Sequence, residues 1–231
     1  MIKFEHTEVF NFEGAIRGMR NPMNSWDKSD SGNGCLEMDC DKCRYNIPGS
    51  IHCENEVGRL TEYIIGDNDL DLMKRLIRAG SDHRKFMRQI LVSVDITAPL
   101  YWWKEFDTYK VATVSNSCST MHKIHDKAFN LDDFSYEHLS DDALMTLCGL
   151  CGVLNSCREQ YLETKDKGHW WDMIQLLPSS YNQRRTLTLN YEVLCNIYGS
   201  RRNHKLDEWS IGFMEWIESL PYAKELITDR S

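Results

Sequence analysis

The chain has 231 residues, 42% of them hydrophobic and 27% charged, an ordinary globular composition with enough apolar material for one sizeable core. Thirty-five acidic against 27 basic residues leave a net charge of −8. That balance argues against general binding to nucleic acid or to a membrane surface, both of which need a basic face. No window approaches the ~18 consecutive apolar residues of a spanning helix. Met1-Ile2-Lys3-Phe4-Glu5-His6 is not a signal peptide, so a cytoplasmic location is expected.

In chain order, residues 3–12 (KFEHTEVFNF) read as a short strand and residues 13–19 as the start of a helix. Residues 20–34 carry Pro, Gly, Asn and Ser and read as loop. The loop leads into Cys35, Cys40, Cys43 and Cys53, spaced C-x4-C-x2-C-x9-C with His52 beside the last. Four thiolates this close in sequence can converge on a tetrahedral ion, and the Cys40–Cys43 gap is that of a zinc knuckle. Structural zinc, unligated thiols and, behind both, an iron–sulfur cluster are the alternatives. A metal would staple a segment too polar to fold alone. Nine cysteines without an export signal point to reduced thiols, metal ligands or a reactive thiol rather than to a disulfide framework.

Residues 67–79 have helical apolar spacing, with Asp67 or Asn68 placed to cap the start and Gly80 to close the end. His83 follows, as a surface histidine or a ligand contact. Residues 91–96 alternate apolar and polar side chains and predict a half-buried strand ending at Pro99. Beyond it Tyr101, Trp102, Trp103 and Phe106 precede a run of short polar side chains, Thr113 and residues 115–120. Two readings are open. The rings either wall a pocket for a flat polar ligand or form a buried strand-to-helix corner before a Ser/Thr-rich loop.

Residues 131–136 read as a connector, and Ser140 with its two aspartates caps a predicted helix that runs through Cys157 and on towards Thr164. Cys148, Cys151 and Cys157 on it are read as small buried apolar residues. Residues 170–177 are a further apolar segment. In residues 181–200, Leu187, Tyr191, Leu194, Cys195 and Tyr198 fall at helical intervals. The basic pentad Arg201-Arg202-Asn203-His204-Lys205 then either clamps an anion or is a solvated helix end complementing the macrodipole. Residues 208–226 close the chain as one or two helices, with Trp209, Phe213, Trp216 and Leu220 on the apolar face and Pro221 interrupting.

Three segments resemble the flavin-dependent thymidylate synthases, also called thymidylate synthase complementing proteins. The first is the helix, Gly80, His83 and the strand ending in Ala98-Pro99. The second runs through Phe106 into residues 110–119, where that family has Arg-His-Arg-x-x-Ser-x-Asn-Glu-x-Ser-x-Arg-Tyr. The third is Leu177-Pro178, Thr188-Leu189-Asn190, Asn196 and Arg201, which follow the family pattern without a gap. The signature itself is eroded: Arg-His-Arg is replaced by Thr108-Tyr109-Lys110, and Thr120-Met121 or Met121-His122 stands where Arg-Tyr would follow. Ile174 and Glu192 stand at two further family arginines.

The resemblance implies an α+β fold, a mixed sheet with packed helices, formed by residues 1–231 as a single domain with a Cys-rich insertion at about 32–58. It implies a homotetramer holding FAD and a pyrimidine nucleotide, dUMP, with methylenetetrahydrofolate as one-carbon donor and NADPH as reductant. His83, Lys110, Asn190 and Asn196 are then the expected cofactor contacts, and Lys104, Ser117 and Arg201 the substrate contacts. Arg201 would also activate the ring electrostatically. Cys118 or Ser119, depending on register, occupies the family's hydroxyl position, and a thiol there is suited to nucleophilic attack on a pyrimidine. The expected function is methyl or hydroxymethyl transfer to a dUMP-like deoxynucleotide. The alternatives are a non-catalytic nucleotide-binding or regulatory protein that keeps the fold, and a metal-centred interaction module built on Cys35, Cys40, Cys43 and Cys53.

Overall fold

The structure, a computed structural model, describes residues 2–35 and 61–229. Its elements in chain order are β1 Lys3–Phe10, α1 Phe12–Arg20, β2 Gly32–Cys35, β3 Thr61–Ile64, α2 Asp67–Arg78, β4 Leu91–Pro99 and α3 Leu100–Phe106. There follow β5 Val114–Ser117, α4 Asp141–Thr164, α5 Lys167–Leu176, β6 Asn182–Asn190, α6 Tyr191–Arg201 and α7 Met214–Glu218, with π-helical turns at Glu208–Phe213 and Lys224–Thr228. The chain divides into two compact units. The first comprises Met1–Val9, Val92–Leu189 and Asn196–Pro221; the second comprises the described residues of Phe10–Leu91, Asn190–Cys195 and Tyr222–Ser231.

The first unit is built on a four-stranded sheet of order β1-β4-β6-β5. In β4, Val92, Val94, Ile96 and Ala98 are buried while Ser93, Asp95 and Thr97 are half-exposed, the alternation that its sequence predicts. β6 corrects the helical reading of residues 181–200. Its TLTLN run puts Leu187 and Leu189 on the buried side with threonines between them, a period of two that suits a strand, and the helix begins only at Tyr191. β5 pairs antiparallel with β6, Ser117 opposite Arg185.

α3 starts directly after Pro99, and its first N–H groups, of Leu100 and Tyr101, donate to the carbonyls of Tyr181 and Ser179 at 3.0 Å each. Trp102, Trp103 and Phe106 are buried in the core, where Trp102 stacks on Trp209 at 4.5 Å and on Phe106 at 5.1 Å. The rings are therefore a buried corner and not a ligand-facing wall. A second core joins α4 and α5 through Phe129, Phe134, Leu147, Leu154 and Met173. Cys151 belongs to it, as expected for a small apolar side chain, but Cys148 faces solvent and Cys157 is half-buried, since their helix has only one covered face.

In the second unit β2 and β3 form an antiparallel ribbon. α1 buries Ala15, Ile16 and Met19, and α2 buries Leu72, Met73 and Ile77. The cap of α2 is Gly66 rather than Asp67 or Asn68. Asp30, from the distant loop, supplies the capping carboxylate and accepts the N–H groups of Asn68 at 2.9 Å and Asp69 at 3.1 Å. Gly80 closes the helix with φ of 107°, which a side chain would resist.

Candidate functional site

Beyond Ser117, the last residue of β5, the chain lines a cleft of about 610 Å3 in the first unit. Cys118, Ser119 and Thr120 form one lip, and Thr97 with the start of β6 continues the wall. The Cys118 backbone is fixed from both sides: its N–H donates to the Arg184 carbonyl at 2.9 Å and its carbonyl accepts from Gln183 Nε2 at 2.8 Å. The thiol itself is exposed. Ser119 Oγ accepts the His122 N–H at 2.9 Å, which tightens the turn that follows.

Lys123, Lys127 and Arg184 line this cleft together with Asp126, Asp132 and Asp133. Lys127 pairs with Asp133, Lys123 lies 3.2 Å from Asp126, and Arg184 reaches Asp95 at 2.7 Å and Glu5 at 3.4 Å. The charges balance. Such a cleft suits an uncharged hydrogen-bonding ring beside a thiol, and leaves the charge of a phosphate to be met elsewhere. Burial, and then the negative charge of Asp133, push the Tyr181 hydroxyl up, so it stays a donor.

Arg201, at the end of α6, is held by groups on and just beyond α3. Its Nη1 donates to Glu105 Oε2 at 2.6 Å, its Nε donates to the Tyr109 hydroxyl at 2.9 Å, and its guanidinium lies 5.1 Å from the Trp209 ring centroid. His204 Nδ1 accepts the Leu206 N–H at 3.1 Å, which places the proton on Nε2, 3.3 Å from the same Glu105 oxygen. The basic pentad thus divides: Arg201 is pinned against a carboxylate and rings, whereas Arg202 is exposed. Lys104, Lys110 and the side chain of Asn196 also lie on the exposed surface of this unit.

His83 and Asn190 belong to the second unit. His83 is exposed in the turn after Gly80, its N–H donating to the Gly80 carbonyl at 3.0 Å. Asn190 is 1% exposed and its Oδ1 accepts the Val193 N–H at 3.0 Å, so it starts α6. Glu192, the reversal of a family arginine, is matched here by Arg84: Nη2 donates to Oε1 at 3.1 Å and Nε stands 2.9 Å from Oε2. Of the expected zinc ligands, Cys40, Cys43 and Cys53 lie outside the described residues, as does the side chain of Cys35. Among the described residues no group of three His, Cys, Asp or Glu is arranged to hold a metal.

The structure brings Cys118 and Ser119 to one cleft, with Ser117 ending β5 before it, and gathers Arg201 with Glu105, Tyr109 and His204. Gln183 and Arg184 are functional candidates that the helical reading of residues 181–200 hid, and Lys123 and Lys127 are two more that the structure adds. The alternation in NQRRTLTLN is the signal that finds Gln183 and Arg184.

No family model and no curated protein sequence matches the chain. Solved structures do. Thymidylate synthase X from Helicobacter pylori, in a crystal structure with FAD and dUMP, superposes with a TM-score of 0.63 at 15% identity, covering 99% of this chain and 97% of that one. A second structure of the flavin-dependent thymidylate synthase from the same organism, complexed with FAD and dUMP, gives 0.62 at 14% identity over 98% and 97%. The protein is thus an α+β protein of mixed sheet and packed helices. Its fold is that of the flavin-dependent thymidylate synthases. Among the described residues no helix is long and apolar enough to cross a membrane.

Proposed function

We propose that the chain is a divergent member of the flavin-dependent thymidylate synthases, acting on a dUMP-like pyrimidine deoxynucleotide by methyl or hydroxymethyl transfer from methylenetetrahydrofolate. The observation that carries this reading is the end-to-end likeness of the fold to synthases solved with FAD and dUMP. The same reading takes residues 1–231 as one synthase-like domain and a cytoplasmic homotetramer. The insertion at about 32–58 would hold zinc through the thiolates of Cys35, Cys40, Cys43 and Cys53.

The donor set fits the implied ligands. In the first unit the exposed Asn196 amide is a neutral donor suited to a flavin ring, and the exposed ammonium groups of Lys104 and Lys110 suit phosphates as point charges; His83 and Asn190, of the second unit, are flavin contacts that the family resemblance implies. When bound, the flavin supplies the two electrons, drawn from NADPH, that turn a transferred methylene into a methyl group. Ser117 and Arg201 orient the nucleotide. Cys118, deprotonated, adds to C6 of the pyrimidine: the S–C6 bond forms, the C5=C6 π bond breaks, and its electron pair moves towards C5 and the O4 carbonyl, where Arg201 stabilises the developing charge. C5 then forms a bond to the folate methylene as one of its two C–N bonds breaks and that nitrogen takes a proton; the second C–N bond would break when the hydride equivalent supplied by the flavin replaces it, and tetrahydrofolate would leave with that nitrogen protonated. Loss of the C5 proton and departure of the thiolate restore the ring. With Ser119 at this position instead, the hydroxyl orients the nucleotide and no covalent adduct forms.

The visible absorption spectrum of the purified protein is the first test, followed by heat release of bound molecules. A band near ~450 nm, a property of the isoalloxazine itself, is expected. With it, Cys118→Ala is expected to lose turnover while keeping the flavin. A colourless protein that takes up no added FAD overturns flavin catalysis. One observation favours the second reading, a non-catalytic nucleotide-binding protein: the charges of the cleft and of Arg201 are already met by carboxylates. Nucleotide binding without flavin or turnover would establish it.

A further inference from the structure

A second cavity in the first unit, of about 530 Å3, shares no lining residue with the Cys118 cleft. Its apolar surface comes from Ile2 and Phe4 at the start of the chain, Ile211 in the π-helical turn Glu208–Phe213, and Trp216 on α7. Phe4 stacks on Trp216 with centroids 4.9 Å apart and planes at 4°. Gly212 lets Ile2 pack closely against the π-helical turn, because a Cβ there would fall 2.5 Å from Ile2 Cγ2. Ile211 is 50% exposed, a large apolar side chain standing open on the cavity wall.

The rest of the lining is acidic. Glu137, Asp207, Glu208 and Glu215 face the cavity with no lysine or arginine among them, and His138 Nε2 lies 3.1 Å from Asp207 Oδ2. Glu208 is 8% exposed and accepts the Tyr101 hydroxyl. Burial and then that carboxylate push Tyr101 far above the usual phenol range, so the hydroxyl remains a donor and Glu208 an acceptor. Four carboxylates around an apolar floor repel a nucleotide or flavin phosphate and favour the opposite charge. Aromatic rings in the wall add to the attraction for a cation. The volume is that of a small-molecule site.

We propose that this cavity is a binding site for a small organic cation with an apolar body, of the aryl- or alkylammonium class. The body lies on Ile2, Phe4, Ile211 and Trp216, and the cationic group faces Glu208 and Glu215. The site is separate from the nucleotide cleft and does not depend on the chemistry assigned there.

Isothermal titration of the full chain at low ionic strength with benzyltrimethylammonium, and with benzyl alcohol and benzoate as neutral and anionic counterparts, tests this. The cation is expected to bind at about 1 mM or tighter and benzoate at least tenfold more weakly. Ile211→Arg, which places a guanidinium at a half-exposed position, is expected to abolish cation binding. Glu215→Gln, a near-isosteric change at an exposed site, is expected to weaken it about threefold or more and serves if the arginine variant fails to fold. Equal affinity for the three probes overturns the proposal, as does cation binding that survives both substitutions. No uptake of the cation, together with a concentration-dependent dimer that Ile211→Arg dissociates, would also overturn it and make the surface an interface between copies.

Discussion

Asp69 has no exposed surface and receives Arg20 Nε at 2.6 Å, the hydroxyls of Ser29 at 2.7 Å and Ser31 at 2.6 Å, and the N–H groups of Asp30 and Ser31 at 3.2 Å each. Burial alone would raise its carboxyl. The hydrogen bonds from Ser31, Ser29 and Arg20 outweigh burial and hold it below the usual carboxylate value. A depressed folded pKa stabilises the fold above the unfolded value, ~3.9, and that stabilisation fades as pH falls through the lower folded one. Asp69→Asn, which leaves Arg20 buried against no charge, is expected to cost ~3–5 kcal/mol at neutral pH. It should also flatten the acid limb of a urea-unfolding series; an unchanged acid limb would assign that limb to other carboxylates. Arg201 carries a second residue-scale prediction. Glu105→Gln keeps an acceptor for Arg201 but removes the charge that neutralises it. Nucleotide affinity, measured by titration with dUMP, is expected to rise several-fold, whereas Arg201→Ala is expected to lower it about tenfold or more.

At the scale of elements, two glycines with opposite surroundings give opposite expectations. A Cβ on Gly66, the cap of α2, would fall 2.4 Å from Asp30 Oδ1 and 2.5 Å from its carbonyl oxygen. Gly66→Ala is therefore expected to displace the loop that caps α2 and to cost ~1–3 kcal/mol. Gly149, inside α4, has nothing within 4 Å of its would-be Cβ, so Gly149→Ala is expected to stabilise by up to ~1 kcal/mol. Melting temperatures of the two variants check both. β4 was legible in the sequence because its alternation is unbroken and Pro99 ends it. β6 was not, because its last leucines and the first apolar residues of α6 combine into intervals that mimic one long helix.

For the whole molecule, a tetramer of 27.1 kDa chains is expected in light scattering if the synthase reading holds for assembly as well as fold. Metal analysis of the same preparation is expected to find about one zinc per chain, lost when Cys40 and Cys43 are replaced by Ser. At 14–15% identity the fold is shared while the signature side chains are not, so activity has to be measured rather than carried over from the fold.

The sequence by itself determined the elements whose signal is local: the alternation of β4, the capped α4 opened by Ser140, the closure of α2 at Gly80. It also carried a spaced resemblance to the flavin-dependent thymidylate synthases, and the fold agrees with it. Only the tertiary structure decided which side chains meet. That Trp102 and Trp103 are core, that Arg201 leans on Glu105, that Arg84 answers Glu192 and that Cys118 shares a cleft with Arg184 all depend on residues from about 65 to 110 positions apart, or on burial that no local pattern records. Pairing and burial are set by long-range packing, and a chain read in order holds no direct trace of it.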